Sequence, residues 1–277
     1  MPDATERTIL ITGATDGLGR ALALELASAG HELILHGRSP DKGAALLAEI
    51  RQRTGNERIG YELADFSSLK DIGSLADRVL ARHDRLHVLV NNAGIGAQPE
   101  RQVSQDGHEL TFQVNYLATY VLSCRLAPLL VASAPARIVN VSSAGQAPVD
   151  FDDVMLERDW SGVQAYCQSK LAQISLTVDL AEHLAGTGVT VNALHPATYM
   201  PTKMVTVHPQ STVEEGVRNT ARLVTGRDGA ETTGRYFERG RPARAGLQSY
   251  DPEARARLRA LSRTLTGVPF PATPGHG

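Results

Sequence analysis

Tyr166 and Lys170, in the run Tyr166-Cys167-Gln168-Ser169-Lys170, carry the plainest chemistry in the chain. Their i, i+4 spacing puts both side chains on one face of a helix, one turn apart. A phenol with a pKa near about 10 is a poor acid or base at neutral pH, and an adjacent ammonium favours the phenolate and lowers that pKa. The pair is therefore a candidate acid/base. Ser142-Ser143 close the apolar run Ile138-Val139-Asn140-Val141, which sets two hydroxyls at the carboxyl edge of a strand, where open parallel sheets bind ligands. A third segment, Thr12-Gly13-Ala14-Thr15-Asp16-Gly17-Leu18-Gly19, separates a strand-like run from a helix-like one. Glycines there permit a tight turn, let backbone N–H groups approach a pyrophosphate, and bring the helix start close to the strand; the helix N-terminus favours an anion. The spacing is Gly-x3-Gly-x-Gly, and no Lys-Ser/Thr pair of a P-loop follows it.

Such groups need a frame, and the apolar pattern predicts one. Strand-length runs at Thr8 to Thr12, Glu32 to His36, Arg58 to Leu63, Val88 to Asn91, Arg137 to Val141 and Thr190 to Leu194, with a seventh at Gly234 to Phe237, alternate with segments of helical spacing. Helices are expected at Leu18 to Ala29, from Ser39-Pro40 onward, at Leu69 to Arg82, Gly107 to Val131 and Gln164 to Leu184, and, as a basic helix, at Pro252 to Leu265. Alternation of this kind implies a doubly wound parallel sheet of six to seven strands in three α/β/α layers. Residues 198–227 lose the pattern and carry Pro201, Pro209 and Gly216, which reads as an irregular flap over a substrate; residues 266–277 read as a flexible tail. The whole of 1–277 is expected to form one domain. With 277 residues, a formal charge of −2, 42% hydrophobic and 21% charged residues, the chain fits a globular protein rather than a disordered or strongly basic one. Two cysteines are too few for a disulfide framework, the start has no signal-peptide pattern, and no apolar run is read as long enough to cross a bilayer. A cytoplasmic protein is expected.

The loop Thr12 to Gly19, the run Asn91-Asn92-Ala93-Gly94 after the fourth strand, and Tyr-x3-Lys in that order resemble the short-chain dehydrogenases/reductases, over about residues 8–200. The resemblance implies a Rossmann-type fold and an oxidoreductase that moves hydride between a nicotinamide dinucleotide and a carbonyl or secondary alcohol. It implies that Gly13, Thr15, Asp16, Gly17, Leu18 and Gly19 hold the dinucleotide, that Asp65 bonds adenine, and that Asn91, Ala93 and Gly94 support the sheet and the adenine ribose. It further implies that Tyr166 exchanges the proton with the substrate oxygen, that Lys170 tunes Tyr166 and holds the nicotinamide ribose, that Ser143 polarises the carbonyl, and that Asn115 kinks its helix and holds a relay water. Pro196 matches a Pro-Gly beside the nicotinamide amide, but Ala197 replaces the glycine; Thr198 is within reach of the cofactor. At the end of the second strand Arg38 stands where an acid would select NAD, and its guanidinium suits a 2′-phosphate, so NADP(H) is expected over NAD(H). Ser143 and Tyr166 lie 23 residues apart, and this length, with Tyr166 to Leu171, looks like the retinol-dehydrogenase-like branch, which acts on varied lipophilic carbonyl/alcohol pairs.

A homodimer or homotetramer through the two long helices, near 107–131 and 164–184, is also implied by the resemblance. Other signals point to simpler roles. His83 and His87 sit where a helix gives way to a strand, Asp150, Asp152 and Asp153 read as an exposed loop, and neither group is assigned a metal. Cys167 is turned about 100° from Tyr166. The arginines from Arg239 to Arg263 lack interleaved aromatics and are not read as a nucleic-acid surface. His195 serves either the substrate or the strand end. Two rival functions remain on this scaffold: an epimerase or dehydratase, whose loop usually reads Gly-x2-Gly-x2-Gly, and a non-catalytic dinucleotide sensor.

Overall fold

The alternating runs build one sheet flanked by helices, seen in a computed structural model that describes residues 6–198, 200–201 and 208–272. The strands are β1 (Thr8–Ile11), β2 (Glu32–Gly37), β3 (Ile59–Leu63), β4 (Val88–Asn91), β5 (Ala136–Val141), β6 (Val189–His195), β7 (Arg235–Glu238) and β8 (Arg241–Ala243), in the order β3-β2-β1-β4-β5-β6-β7-β8. The first seven are parallel, with Ile9 opposite both Leu33 of β2 and Val88 of β4. Strand order reverses between β1 and β4, and the crevice beyond their carboxyl ends is where such sheets bind ligands. β8 adds an antiparallel edge that the hydrophobic pattern did not reveal. Its two-residue turn puts Arg239 at φ 49° and Gly240 at φ 72°, the left-handed pair a tight hairpin needs, and Pro242 on the edge blocks further pairing.

Alternate residues feed two cores. Ile9 and Ile11 pack with α1 (Gly17–Ser28), α2 (Pro40–Thr54) and α7 (Val213–Val224), while Leu10 packs on the opposite face. That second face is covered by α3 (Leu69–Arg82), by a helical run made of α4 (Leu110–Phe112), a π-helical turn (Gln113–Leu117) and α5 (Ala118–Ala132), and by α6 (Gly162–His183) and α9 (Pro252–Thr266). Ser39 caps α2 ahead of Pro40 by accepting from Lys42 N, and Gly55 at φ 68° ends it. A short α8 (Arg227–Glu231) leads to β7.

Four expectations need correction. The helix expected from Gly107 starts at Leu110: Gly107 sits at φ 85° in a turn, and the Glu109 carboxylate caps the start by accepting from Phe112 N at 2.6 Å. The run Leu110–Ala132 is long and apolar enough by composition to cross a bilayer, but its most apolar 18-residue stretch is 72% buried inside the protein, the position of a core helix. The flap read over 198–227 contains a regular helix, α7, capped by Thr212, which accepts from Glu215 N. Gly216 does not break it, because it lies on the buried face where α7 packs on Leu18.

The fourth concerns the tail. Beyond α9, residues 267–272 run over α5 and α6: Tyr120 Oη donates to Val268 O at 3.0 Å, and the Phe270 ring meets those of Tyr120 and His183. Within α9, Ser262 Oγ bonds Tyr116 Oη at 2.6 Å, Arg255 clasps both Glu182 oxygens at 2.8 Å, and Arg259 pairs with Asp179 at 3.0 Å. The chain's own C-terminal segment thus covers Tyr116, Tyr120, Asp179, Glu182 and His183 of the two long helices near which a second copy was expected to pair. Residues 273–277 of the expected tail lie outside the described residues.

Candidate active site

The glycine loop is tied to the β4 end by a dense set of bonds. Thr12 Oγ1 accepts from Asn92 N and Ala93 N, both at 2.9 Å, and Asn92 Nδ2 donates to the carbonyls of Thr12 and Gly13. Gly13 has φ 65°, and a Cβ there would lie 2.8 Å from Ala93 Cα; one on Gly19 would strike the Gly13 carbonyl. Asp16 caps α1, accepting from Gly17 N at 2.9 Å, so the loop ends on a helix N-terminus. Thr15 packs on Gly37, and Leu18 is buried. This cradle, closed to any Cβ and opening on a helix N-terminus, fits the pyrophosphate of a dinucleotide.

His36 is a part of the loop that sequence reasoning missed. Its ring stacks on Phe66 at 4.3 Å, Nδ1 accepts from Gly13 N at 3.3 Å, and Nε2 lies 3.1 Å from Ala64 O. Burial pushes its pKa down to about 4, so the ring is neutral and donates to Ala64 through Nε2. Next to it, Arg38 is exposed at the end of β2. Asp65 follows β3, with one carboxylate oxygen accepting from Ser67 N at 2.9 Å. Asn91 is buried and donates to Ser123 Oγ and Asn140 Oδ1, bracing β4 to α5 and β5.

The remaining groups converge across β5 and α6. Ser142 Oγ donates to Lys170 O at 2.8 Å and locks strand to helix. Ser143, two residues past β5, has its hydroxyl accepting from Gly145 N at 3.0 Å and near enough to the Tyr166 phenol to favour its ionised form. A Cβ on Gly145 would stand 3.3 Å from Cys167 Sγ, 3.6 Å from Ser143 Oγ and 3.8 Å from Tyr166 Cε1, so the glycine keeps the Ser143 hydroxyl approachable beside the Tyr166 ring. Tyr236 Oη and Gln146 Nε2 both donate to Ser143 O, at 3.1 and 2.9 Å. Asn115 occupies the π-helical turn, and its amide bonds Ile95 N, Ile95 O and Ser169 Oγ. Gly94 lies against it: a Cβ there would come 3.0 Å from Asn115 Oδ1 and 3.6 Å from Lys170 Nζ.

Lys170 differs from the simple picture of an ammonium beside a phenol. Its Nζ is 5.7 Å from the Tyr166 ring centroid and donates to Val141 O and Gln173 Oε1, each at 3.0 Å. Burial pushes its pKa down to about 7. Burial also raises that of Tyr166, against the lowering effect of the Ser143 bond. The lowering expected from Lys170 is not seen in this arrangement: burial raises the Tyr166 pKa, the Ser143 hydroxyl opposes it, and Nζ is turned to Val141 O and Gln173 Oε1. His195 Nε2 sits 3.0 Å from Thr198 Oγ1, Asn219 Nδ2 donates to Pro196 O at 2.7 Å, and Ser211 Oγ donates to Thr198 O at 2.6 Å. The His195-Pro196-Ala197-Thr198 path is thereby pinned, and His195 closes it.

Residues 7–212 match the family profile described as short chain dehydrogenase. The chain belongs to the short-chain dehydrogenase family. Retinol dehydrogenase 13 of Homo sapiens is 34% identical over 96% of this chain and 86% of that protein. Against retinol dehydrogenase 12 of the same organism the chain spans 60% of the relative's length. An uncharacterised protein of Mycobacterium paratuberculosis superposes with a TM-score of 0.81 and 29% identity, covering 98% and 97% of the two chains. A short-chain dehydrogenase of Escherichia coli CFT073 complexed with NADPH gives a TM-score of 0.69 and 27% identity, covering 84% and 96%. This short-chain dehydrogenase is therefore an oxidoreductase of the retinol-dehydrogenase-like branch, in a family that uses nicotinamide dinucleotides.

Proposed function

We propose that this short-chain dehydrogenase exchanges hydride between NADP(H) and a carbonyl/secondary-alcohol pair, working as a ketoreductase on a lipophilic or secondary-metabolite substrate. The observation that carries the reading is that the Ser143 hydroxyl and the Tyr166 ring lie side by side next to Gly145, with Lys170 buried one helical turn on. A carbonyl oxygen placed there meets two O–H donors. Ser143 orients and polarises it, and Tyr166 gives it a proton in reduction or takes one in oxidation. Lys170 holds positive charge near the phenol and stabilises the phenolate left behind.

The bound dinucleotide supplies or accepts the hydride. Gly13, Thr15, Asp16, Gly17, Leu18 and Gly19 would hold its pyrophosphate, Asp65 and Ala93-Gly94 its adenosine side, and Pro196 and Thr198 its nicotinamide side. Arg38 supports the choice of NADP: it is exposed at the β2 end with no acid beside it in Gly37-Arg38-Ser39. A charge-assisted bond to a 2′-phosphate contributes about 1.5–3 kcal/mol, a preference of roughly tenfold or more. The NADPH complex of the Escherichia coli neighbour is consistent with that choice. The relatives' names refer to retinol, a lipophilic alcohol, which supports a lipophilic substrate class.

The test is NADPH consumption against aliphatic, aromatic, steroid-like, polyketide-like and retinoid carbonyls, with Tyr166→Phe as control. Turnover in the intact protein and its loss by about 10²-fold or more in the variant, with NADPH affinity kept, are expected. Turnover surviving in Tyr166→Phe refutes the assignment. Arg38→Ala is expected to erase the ratio of NADPH to NADH affinity, and tighter NADH binding by the intact protein refutes the cofactor choice.

A further inference from the structure

Lys170 Nζ has two protein acceptors, and they are held in different ways. Val141 O is backbone at the end of β5. Gln173 Oε1 belongs to a side chain on the lysine's own helix, and its position depends on what grips the other end of the amide. Gln173 Nε2 donates to Asn115 O at 2.8 Å and to Thr119 Oγ1 at 3.1 Å, so both amide hydrogens are engaged and Oε1 is left facing the lysine. Thr119 Oγ1 donates in turn to Asn115 O at 2.9 Å. The Gln173 carbonyl accepts from Thr177 Oγ1, which accepts from Asn140 Nδ2, tying the same residue to the β5 and β4 asparagines. Gln173 is fully buried; a primary amide is costly there unless each polar atom is bonded, and each is.

We infer that Gln173 is a positioning residue of the active centre, its side-chain amide bridging the Asn115 carbonyl to Lys170 Nζ and so fixing the direction and the charge of the lysine. This rests on the reading of Lys170 as the partner of Tyr166, and it differs from the water relay that the family resemblance implies at Asn115. Oε1 only accepts, and Nε2–H does not ionise in the working range, so the bridge orients the ammonium without passing protons. An acceptor aimed at Nζ favours the protonated lysine, which burial opposes. Among the described residues the titratable side chain beside Nζ is Tyr166, on its own helix; β5 presents the Val141 carbonyl, and the turn after β4 brings Gly94 close.

The inference is tested on the full-length protein with Gln173→Met, which keeps length and removes both polar functions, and Gln173→Glu, which restores an acceptor. The sequence has four lysines, Lys42, Lys70, Lys170 and Lys203, so a pH titration followed by NMR of ¹³Cε-labelled lysine resolves Lys170, its signal assigned by loss in Lys170→Ala. A hydrogen bond to a charged group corresponds to a change of about tenfold in proton affinity. The Lys170 midpoint is expected to fall by about one pH unit in Gln173→Met and to rise in Gln173→Glu. The pH profile of kcat is expected to move in the same sense, which a merely structural loss does not produce. Folded Gln173→Met with an unmoved Lys170 midpoint overturns the inference. Should that variant fail to fold, an unmoved midpoint in Gln173→Glu overturns it. The NMR readout needs no substrate, so an inactive wild type would refute the proposed function while leaving this inference to be decided on its own.

Discussion

Alanine at Gly13 meets two penalties that can be measured apart. The first is conformational: φ is 65°, and the left-handed region costs an L-residue about 1–2 kcal/mol. The second is steric. The new methyl would lie 2.8 Å from Ala93 Cα and 3.2 Å from Ala93 N, well inside the roughly 3.5–4.0 Å of a relaxed carbon contact, and the β4 turn it strikes is bonded to Thr12 and cannot retreat alone. Overpacking of this kind costs about 1–3 kcal/mol, so the total is about 2–5 kcal/mol. Gly30 isolates the first part, since it has φ 82° and nothing within 4 Å of a built Cβ. For a chain of this size each kcal/mol shifts Tm by about 2–4 °C. Calorimetry is expected to show a loss of about 4–20 °C for Gly13→Ala and about 2–8 °C for Gly30→Ala. Titration calorimetry should show weakened dinucleotide binding in Gly13→Ala alone, because Gly30 lies past the far end of α1. Equal Tm losses with unchanged binding in both variants would refute the claim that the β4 turn dictates glycine at this position.

Other consequences concern the two serines, one histidine and the C-terminal segment. Ser143→Ala should cost turnover with little loss of Tm, whereas Ser142→Ala, which removes a bond to Lys170 O, should cost about 1 kcal/mol of stability; the reverse pattern in Tm and kcat contradicts the division of roles. His36 is held neutral with its pKa down to about 4, so between about pH 6.5 and 4 the unfolded chain binds a proton that the folded one does not, and stability falls with falling pH by up to about 3 kcal/mol. Urea melts at pH 7.5 and 4.5 should show a smaller loss in His36→Gln than in wild type, and an equal loss places the slope elsewhere. With α9 and residues 267–272 on α5 and α6, light scattering should give the 29.7 kDa mass of one chain, and deletion of residues 252–277 should expose the Tyr116–Tyr120 face and cause association; a stable dimer of the intact chain contradicts this.

Much of the fold was legible because strand and helix periods are backbone properties written at every residue. The α3 limits expected from the sequence, Leu69 to Arg82, are the observed ones, since Ser68 caps the start and the apolar stripe at Ile72, Leu75, Ala76 and Val79 is unbroken. α7 was overlooked although it carries the same marks: Thr212 as cap, Glu214 and Glu215 in the first turn, and buried Val217, Thr220, Leu223 and Val224. Pro201, Pro209 and Gly216 read as breakers, yet both prolines precede the cap and the glycine serves close packing against Leu18. β8 gave no signal because a three-residue edge strand holding a proline has no periodicity to detect. The C-terminal packing escaped for another reason: the composition of Gly267 to Ala272 is that of a frayed end, and only tertiary contact with Tyr120 and His183 shows otherwise.

The active centre divides along the same physical line. Helical spacing places Tyr166 and Lys170 on one face, and that much follows from 3.6 residues per turn. It does not say where a four-carbon side chain ends. Nζ goes to Val141 O and Gln173 Oε1, 5.7 Å from the phenol ring centroid, because a buried ammonium must find acceptors and the site offers them on that side. His36 and Gln173 escaped notice for a related reason: each acts on a named residue through one hydrogen bond, to Gly13 N and to Lys170 Nζ, and neither lies in a motif. The motifs thus identify the groups that meet the ligand. Burial sets the direction of the Lys170 and Tyr166 pKa values, and the partners that place those groups, such as Gln173, are recognised only when every donor and acceptor around them has been paired.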